Sequence, residues 1–331
     1  MEDIAHPLVS IGVPVFNGEK GLARALDSLI GQDYSNLEII ISDNASTDTT
    51  PAICERYVCK DSRIKYYRSE KNFGAIWNFN RVFGLSCGKY FMWAAHDDQR
   101  HASFVNACVE KMEEWPNAVL CQVHTAIFIE AREEMLCLVH LDSFEGVTGL
   151  VERYRETLSH LPATAIYGLY RSSAMRKTQM LRRSLATDIA FNQELSIHGD
   201  FVQVPRILFH YFGREKWNTI DQDFRVYFGK AKPWWYSPFV MLFLDHWRRV
   251  WAAPIPLSTK LRLWSVLLEH EVGQVALKIL IKITGRVSPL RWKEKVGGAI
   301  YRRWMLSPNV TVCCEPLFLE RAIKPTIGWW R

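Results

Sequence analysis

Two stretches near the start of the chain decide the fold: Val9-Ser-Ile-Gly-Val-Pro-Val-Phe-Asn17 and Glu38-Ile-Ile-Ile-Ser-Asp43-Asn-Ala-Ser-Thr-Asp48. Each is an apolar run that ends in small polar residues, and the segment between them, Gly18 to Gly31, has apolar residues at helical spacing. Strand, helix and strand in this order predict a parallel α/β sheet. Because ligands bind at the carboxyl ends of strands in such sheets, Asn17 and Asp43 are predicted to lie together there.

The alternation of strands and helices continues to about residue 215. It predicts a doubly wound, mainly parallel sheet. The further predicted strands are Ile64–Tyr67, Tyr90–Ala95, Ala118–Val123, Ile127–Glu130, Phe201–Val204 and Ile207–Tyr211, and the further predicted helices are Thr50–Cys59, Phe73–Ser86, Ser103–Trp115 and Thr187–His198.

Composition places the chain among ordinary globular proteins. Its 331 residues are 48% hydrophobic and 23% charged, which supports a real core and argues against bulk disorder. We find no secretion signal, and no stretch has the roughly 18 consecutive apolar residues of a membrane-spanning helix. The eight cysteines form no C-x-x-C pair, so we expect free thiols and a cytoplasmic location.

The two parts of the chain differ in charge. Beyond residue 215 basic residues outnumber acidic ones by more than two to one, and ten of the 13 tryptophans lie there, whereas acidic residues are in excess before it. The sequence therefore predicts an α/β domain over residues 1–215 and a helical, basic, Trp-rich region over residues 216–331.

A second group of acids follows the apolar run that begins at Tyr90. Asp97 and Asp98 are adjacent, and neighbouring carboxylates repel one another unless a cation or a hydrogen-bond donor is present. They therefore indicate a hard cation such as Mg²⁺ or Mn²⁺, which prefers oxygen ligands and phosphates. The plainer alternatives are that both acids cap the helix at Ser103, and that Asp43 is a turn residue.

Several other site types are excluded by their missing motifs. The chain has no G-x-x-x-x-G-K-[ST], no G-x-G-x-x-G, no zinc-ligand spacing and no G-x-S-x-G elbow. The basic residues after position 216 match no nucleic-acid-binding motif, so no nucleic-acid partner is expected.

The residues quoted so far resemble family 2 glycosyltransferases of the GT-A fold. The resemblance covers roughly residues 8 to 215. It rests on the two opening stretches and on these further blocks: Ala25-Leu-Asp-Ser-Leu-Ile-Gly-Gln32, Asn72-Phe-Gly74, Asn80, Gly88-Lys-Tyr90 and Asp97-Asp98.

The resemblance implies a transferase that uses a nucleotide-activated sugar, of UDP or dTDP type, with a divalent cation. His96-Asp97-Asp98 occupies the family's DXD position, with His96 in place of the first acid. Asp98 is then expected to bind the metal, with Asp97 nearest the ribose or sugar. Asp43 is expected to bind the nucleobase of the donor. The other residues expected to contact the donor are Pro14, Phe16, Asn17, Glu19 and Asn72.

The resemblance also implies a catalytic base at the start of a helix. Asp188 fits this position, with Thr187 where the family often has Glu, and Glu194 is the reserve candidate. The alternative for Asp188 is an acid that stabilises a helix N-terminus. His210 and Arg214 are candidates for the leaving diphosphate, although His210 fits a core histidine equally well.

The mechanism that follows is a single displacement with inversion, in which Asp188 takes the proton of the acceptor hydroxyl. Two other classes compete with it: an inactive sugar-nucleotide-binding or scaffold protein with the same fold, and a sugar-nucleotide synthase. The intact Asp98 and Asp188 argue against the first. A synthase usually has a glycine-rich, Arg-containing loop after strand 1, and Val15-Phe-Asn-Gly is not one.

The C-terminal region is predicted to touch a membrane surface. The run from Lys232 to Trp247 is apolar and aromatic but too short to span, and Leu261 to Ile283 is partly amphipathic, with Lys278 and Lys282. Aromatic anchors combined with basic residues are typical of interfacial helices on anionic lipid. This predicts peripheral binding to the inner membrane face and a glycan or lipid-linked acceptor; the alternative is a protein core or a subunit interface.

Overall fold

The computed structural model of the protein describes residues 6–129, 134–139, 144–147, 149–213, 219–228, 231–270 and 272. The strands are β1 (Val9–Val15), β2 (Leu37–Asp43), β3 (Ile64–Arg68), β4 (Tyr90–Trp93), β5 (Gln99–Arg100), β6 (Ala118–Ile129), β7 (Glu134–Val139), β8 (Leu169–Arg171) and β9 (Asp200–Gly213). The helices are α1 (Leu22–Ile30), α2 (Thr50–Lys60), α3 (Ala75–Gly84), α4 (Phe104–Glu114), α5 (Leu150–His160), α6 (Ser172–Met175), α7 (Thr187–Leu195), α8 (Ile220–Phe228) and α9 (Pro238–Ala252). A 3₁₀ turn spans Ala163–Tyr167, and residues 257–270 are also helical.

Within the described residues the strands form one sheet, in the order β3-β2-β1-β4-β8-β6-β9-β5, with β7 beside β6. The first four strands of this order are parallel, and β6 is parallel to β9. β8 is antiparallel to both of its neighbours, β4 and β6. The predicted doubly wound, mainly parallel α/β sheet is therefore confirmed.

Both faces of the sheet are buried, which is why its central strands are almost wholly apolar. On one face Ile11 and Met92 pack with residues of α1, α2 and α4. On the other face Ile40, Phe91 and Trp93 pack with residues of α3, α6 and α7. Successive side chains of a strand alternate between these two layers.

The C-terminal helices share a hydrophobic cluster with the sheet domain. Tyr154 of α5 and Ile197, just after α7, pack with Val250 of α9 and with Leu263 and Val266 of the helix at 257–270. The boundary near residue 215 stays a prediction, but the helices beyond it bury apolar surface against α5 and α7. Within the described residues no helix combines the length and hydrophobicity needed to cross a bilayer.

Several local differences from the sequence prediction have physical causes. Two predicted strands are one 12-residue strand, β6, and another predicted pair joins across Pro205 as the 14-residue β9. The elements β5, β7, α5 and β8 were not predicted, because they are short or are stabilised mainly by distant partners. The partly amphipathic stretch from Leu261 to Ile283 is described continuously as far as residue 270, and Lys278 and Lys282 lie outside the described residues.

Candidate active site

The loop after β1 is fastened to the loop after β2 by hydrogen bonds in both directions. The amide of Asn17 donates to Ser46 Oγ at 2.9 Å, and the amide of Thr47 donates to Asn17 Oδ1 at 2.9 Å. The hydroxyl of Thr49 donates to Glu19 Oε2 at 3.0 Å. In this arrangement the side chains of Asn17 and Glu19 hold two loops of the predicted donor pocket together.

Asp43 ends β2 and is completely buried. Its Oδ1 accepts from the amide of Ser46 at 2.8 Å, which is the turn contact that the plainer alternative requires. Its Oδ2 accepts from the hydroxyl of Tyr66 at 2.9 Å and lies 3.4 Å from Nε of Arg68. A nucleobase would therefore reach this carboxylate only after displacing Tyr66 or Arg68. Burial, and after it the hydrogen bond to Asp43, raises the pKa of Tyr66.

Asn72 organises the turn that leads into α3. Its Oδ1 accepts from Asn44 Nδ2 at 2.7 Å and from the amide of Gly74 at 2.8 Å. Gly74 has φ of 93°, a conformation that side chains disfavour. One turn on, the buried Asn78 donates to the carbonyl of Ser42 at 2.8 Å, so α3 is anchored to the end of β2.

Aromatic rings border the elements that carry the predicted donor residues. Pro14 is buried in β1 opposite Ser42, but Phe16, two residues later, is 43% exposed. Phe73 and Trp77 are 46% and 36% exposed, with ring centroids 4.5 Å apart. Exposed rings of this kind suit stacking against a planar group.

The loop after β4 lies directly against the loop after β1, and two glycines allow this approach. A Cβ at Gly18 would meet His96 Cδ2 at 2.8 Å, and a Cβ at Gly21 would meet Asp97 Cα at 2.8 Å. Arg24 Nη2 donates to the carbonyl of Asp97 at 2.8 Å. On one side, the loop that contains Asn17 is therefore hydrogen-bonded to the loop after β2, which follows Asp43. On its other side, it packs against Asp97.

The two adjacent acids have different surroundings. Asp98 is 1% exposed: its Oδ1 accepts from the amide of Phe212 at 2.9 Å, and its buried Oδ2 has no hydrogen-bond partner among the described residues. Burial, and then the charge of Asp97, raises the pKa of Asp98 to about 8. Asp97 is partly exposed, and within the described chain its carboxylate makes no hydrogen bond or ion pair.

The helix-cap alternative for these acids is wrong. β5 lies between them and α4, and within the described residues the side chain of the α4 N-cap, Ser103, accepts no cap hydrogen bond. The Oδ1 of Asp98 bonds to β9 instead.

Two arginines that the sequence analysis did not single out lie behind the acids. The guanidinium of Arg24 lies 3.9 Å from the ring centroid of Phe212, and its buried Nε has no hydrogen-bond partner in the part of the chain that the structure describes. Arg100 is 4% exposed and donates to the carbonyl of Trp93 at 2.8 Å. Burial lowers the pKa of Arg100 to about 10. Nothing in their spacing distinguishes these residues from ordinary polar positions, so only the fold identifies them.

Asp188 lies in the first turn of α7, directly after Ala186 and Thr187. It is partly buried, it makes no ion pair within the described chain, and burial raises its pKa. Phe191 of the same helix packs edge-on against Trp93, the last residue of β4, with ring centroids 5.4 Å apart. The helix that carries Asp188 therefore packs on the strand that leads to Asp97 and Asp98.

Glu194, the reserve candidate for the base, is removed by its contacts. It is 3% exposed, and its Oε2 lies 2.5 Å from Nη1 of Arg249 in α9. Both of its carboxylate oxygens also accept from the amide of Gln179, at 3.0 and 3.1 Å. A carboxylate used in this way is not available to take a proton from an acceptor.

The remaining candidates have separate outcomes. His210 lies inside β9 and not after it; its backbone pairs with Gln99, its ring packs on Phe128, and burial lowers its pKa. Arg214 lies outside the described residues.

A divalent cation fits the acids after β4. The Asp97 carboxylate and the Asp98 Oδ2 have no partner in the described chain. Within that part of the chain no group of three or more His, Cys, Asp or Glu side chains could hold a metal. The protein would thus supply one or two carboxylate ligands, which is how Mg²⁺ is usually bound when phosphates supply others.

Comparison with known proteins identifies the family. The model of "Glycosyl transferase family 2" matches residues 10–185, more than half of the chain. The chain therefore belongs to glycosyl transferase family 2, and it has the GT-A fold.

Curated relatives match over about a third of the chain. An uncharacterised glycosyltransferase of Haemophilus influenzae is 33% identical over 124 residues, which is 38% of this chain and 38% of that protein. The Campylobacter jejuni GalNAc(5)-diNAcBac-PP-undecaprenol beta-1,3-glucosyltransferase is 32% identical over 110 residues, or 33% of this chain and 35% of that protein. The chain thus matches well under half of the length of these relatives.

Solved structures share the fold at low sequence identity. S. aureus TarS 1-349 in complex with UDP aligns with a TM-score of 0.53 and 16% identity, over 80% of this chain and 71% of that one. The mannosyltransferase PcManGT from Pyrobaculum calidifontis, in complex with GDP-Man and Mn²⁺, aligns with a TM-score of 0.50 and 14% identity, over 98% and 88%.

Proposed function

We propose that this glycosyltransferase is an inverting enzyme, which moves a hexosyl or deoxyhexosyl group from a nucleoside diphosphate sugar to a hydroxyl of a glycan or lipid-linked acceptor. The observation that carries the proposal is the Asp97 carboxylate, which has no partner among the described residues and lies beside the loop after β1 at the carboxyl edge of the sheet. The UDP and GDP-Man complexes of the structural neighbours support a nucleotide-sugar donor of UDP, dTDP or related type.

Burial supports exchanging the two roles that the sequence assigned to the acids. A ligand must present a lone pair to the cation, and Asp97 is partly exposed whereas Asp98 is buried against the Phe212 amide. Asp97 would therefore be the direct metal ligand, and Asp98 would hold the loop after β4 to β9. A bound divalent cation would supply positive charge near the departing diphosphate.

Asp188 is the proposed general base. Its carboxylate has no cationic partner in the described chain, and burial raises its pKa toward the range in which a base works well near neutral pH. It would accept the proton of the acceptor hydroxyl as the new glycosidic bond forms. Asn72 and the loops held by Asn17 and Glu19 would orient the donor, and Asp43 would contact its nucleobase.

The alternative is an inactive sugar-nucleotide-binding or scaffold protein. A binder needs the donor loops but has no use for a partly buried acid without a cationic partner in the described chain, because the helix N-terminus offsets the cost of its burial only in part. Asp188 therefore favours the enzyme.

The acceptor side is proposed to face an anionic membrane surface. Trp247 and Trp251 of α9 are 41% and 54% exposed, and each ring centroid lies 5.5 Å from that of Trp264 in the next helix. Other exposed apolar and basic residues of these two helices are Val240, Arg248, Leu257, Leu261, Arg262 and Leu268. Tryptophan with arginine is the combination that interfacial helices use on anionic lipid. A subunit interface is the competing use of this surface.

A donor panel tests the catalytic proposal. Thermal melting with UDP-glucose, UDP-N-acetylglucosamine, UDP-galactose, dTDP-rhamnose and GDP-mannose, each with and without Mn²⁺, should show stabilisation that requires the cation, because ligand binding to the native state raises its stability. Nucleoside diphosphate release should then be faster with a hydroxyl acceptor than without one. Cation-dependent binding without any turnover across a range of glycan and polyprenyl diphosphate acceptors would favour the inactive binder.

Vesicle sedimentation tests the membrane contact. The full chain should pellet with vesicles that contain anionic phospholipid and much less with purely zwitterionic vesicles. The Trp247→Ala/Trp251→Ala variant should stay in solution, while Trp115→Ala, at an exposed tryptophan after α4, should still pellet. Equal pelleting of both variants would contradict membrane binding through this surface. A concentration-dependent dimer that the double variant loses would show that the surface is a subunit interface.

A further inference from the structure

Helix α9 places a buried arginine between two acids. One of these acids belongs to the sheet domain and the other to α9 itself. Arg249 is 1% exposed, and its Nη1 pairs with Glu194 while its Nε donates to Asp245 Oδ2 at 3.1 Å. The third branch, Nη2, donates to the carbonyl of Met180 at 3.0 Å. All three nitrogens of one guanidinium are therefore used, and each leads to a different backbone segment.

These contacts meet at the loop between α6 and α7. The amide of Gln179 donates to Glu194, and the carbonyl of Met180 accepts from Arg249.

Arg182 continues the network toward α7. Its Nε lies 3.3 Å from Asp245 Oδ1. The amide of Arg182 donates to the hydroxyl of Thr187 at 2.8 Å. The network thus runs from α9 to the first residue of α7, which precedes Asp188.

The same loop has a backbone that needs to be held. Met180 and Ala186 have φ of 54° and 58°, in the left-handed region that residues other than glycine rarely adopt. Such conformations persist where the surroundings over-determine them. From the other side, Asn80 of α3 donates to the carbonyl of Leu181 at 2.8 Å and accepts from its amide at 3.2 Å.

We propose that Arg249 is a positioning residue of the transferase: it fixes the loop from Gln179 to Ala186 and thereby the place of Asp188. This inference rests on the proposed role of Asp188 as the base. The C-terminal region is then part of the working site and not only a surface for docking. Asp245 supports the same loop through Arg182 and through Ser184, whose hydroxyl donates to it at 3.4 Å.

Two variants and one matched control test the proposal in the full chain. Arg249→Lys keeps the charge that faces Glu194, but a single ammonium cannot reproduce the fork that also reaches Met180 and Asp245. Asp245→Asn removes the charge that holds Arg182 while leaving the pair with Glu194 intact. The control is Arg248→Lys, the same chemical change at the adjacent, exposed position of α9.

The first measurement is amide hydrogen exchange, which does not depend on turnover. In Arg249→Lys, exchange in residues 179–188 should rise by about tenfold or more over the wild type, with β1 and β2 unchanged, because the loop opens locally. Arg248→Lys should match the wild type. If the lysine variant does not fold, Asp245→Asn should show the same rise, limited to residues 182–188.

The second measurement uses the donor selected by the panel described above. In Arg249→Lys, kcat should fall by about tenfold or more while KM for the donor changes by less than about threefold, because a displaced base affects only the chemical step. Exchange and kcat equal to those of Arg248→Lys would overturn the proposal. If the wild type turns over no donor, the proposed function fails, whereas the exchange data still decide whether Arg249 fixes the loop.

Discussion

The donor edge and the Asp188 region of this molecule are built in different ways. At the donor edge, the loops after β1 and β2 are joined by hydrogen bonds between residues about 30 positions apart, most of them partly or fully exposed. Around Asp188, the decisive contacts are buried and join α7 to residues 55 positions away in α9. The first region is held by bonds between two neighbouring loops, the second by buried contacts with α9 and by the bonds of Asn80 in α3.

This difference predicts different sensitivities. Partly exposed hydrogen bonds contribute little each and can be replaced by water. Buried ion pairs are costly to break, because the partner is left as an uncompensated charge. Substitutions at the two regions can therefore show whether the assignment of donor binding to one and proton transfer to the other is correct.

The largest effect is expected at Asp188. Asp188→Asn keeps the size of the side chain but removes the base, so kcat should fall by about 10²- to 10⁴-fold. The donor-induced rise in melting temperature should equal that of Asp33→Asn, a control at an exposed aspartate after α1. Turnover within threefold of this control would show that Asp188 is not the general base. Proton transfer could then no longer be assigned to the Asp188 region.

The pH profile of the wild type gives a second view of the same carboxyl. Because burial raises the pKa of Asp188, its ionised form is lost at higher pH than that of an ordinary aspartate. As pH falls through this raised pKa, kcat should decline while donor binding persists. A profile that stays flat down to about pH 4, near the reference value for aspartate, would contradict the assignment.

The next largest effect concerns stability. Glu194→Ala leaves the buried Nη1 of Arg249 without its acid, and Asp245 is then the acid that still pairs with the guanidinium. We expect a loss of about 3 kcal/mol in the free energy of unfolding, the lower end of the range for a broken buried pair. Asp27→Ala breaks the exposed pair with Lys60, whose side chain is 52% exposed, and should cost less than about 1 kcal/mol. Denaturant unfolding measures both. Similar losses for the two variants would mean that α9 is not integrated with the sheet domain in the way described.

The two regions also differ in how far the sequence predicts them. β1, α1 and β2 carry clear periodicity and end in recognisable polar residues, so the order of elements and the convergence of Asn17 with the β2 loop follow from the pattern. The network at Arg249 does not, because its members are spread over residues 179 to 249 and none has unusual neighbours in the sequence. Burial separates Asp97 from Asp98, and no property of two adjacent, identical residues indicates which one faces the solvent.

A smaller effect is expected from the two acids after β4. If Asp97 is the direct ligand, Asp97→Asn should raise the Mn²⁺ concentration needed for half-maximal activity by about 100-fold or more, beyond what loss of a supporting residue costs. Asp98→Asn should change it by about tenfold or less, because Asp98 bonds to the Phe212 amide and would act only through the loop. The reverse order would restore the assignment made from the DXD position.

The smallest effect is expected at Glu19, where it tests whether the donor edge is only a set of exposed contacts. Glu19→Ala removes the hydrogen bonds from Thr49, and each such bond contributes about 1 kcal/mol, less where water replaces it. Donor affinity should then fall by only a few fold, as the loop after β1 loosens, and Glu55→Ala, at an exposed site on α2, should have no effect. A loss of donor affinity beyond about tenfold, without a change in stability, would instead mean that Glu19 leaves Thr49 and contacts the nucleotide directly.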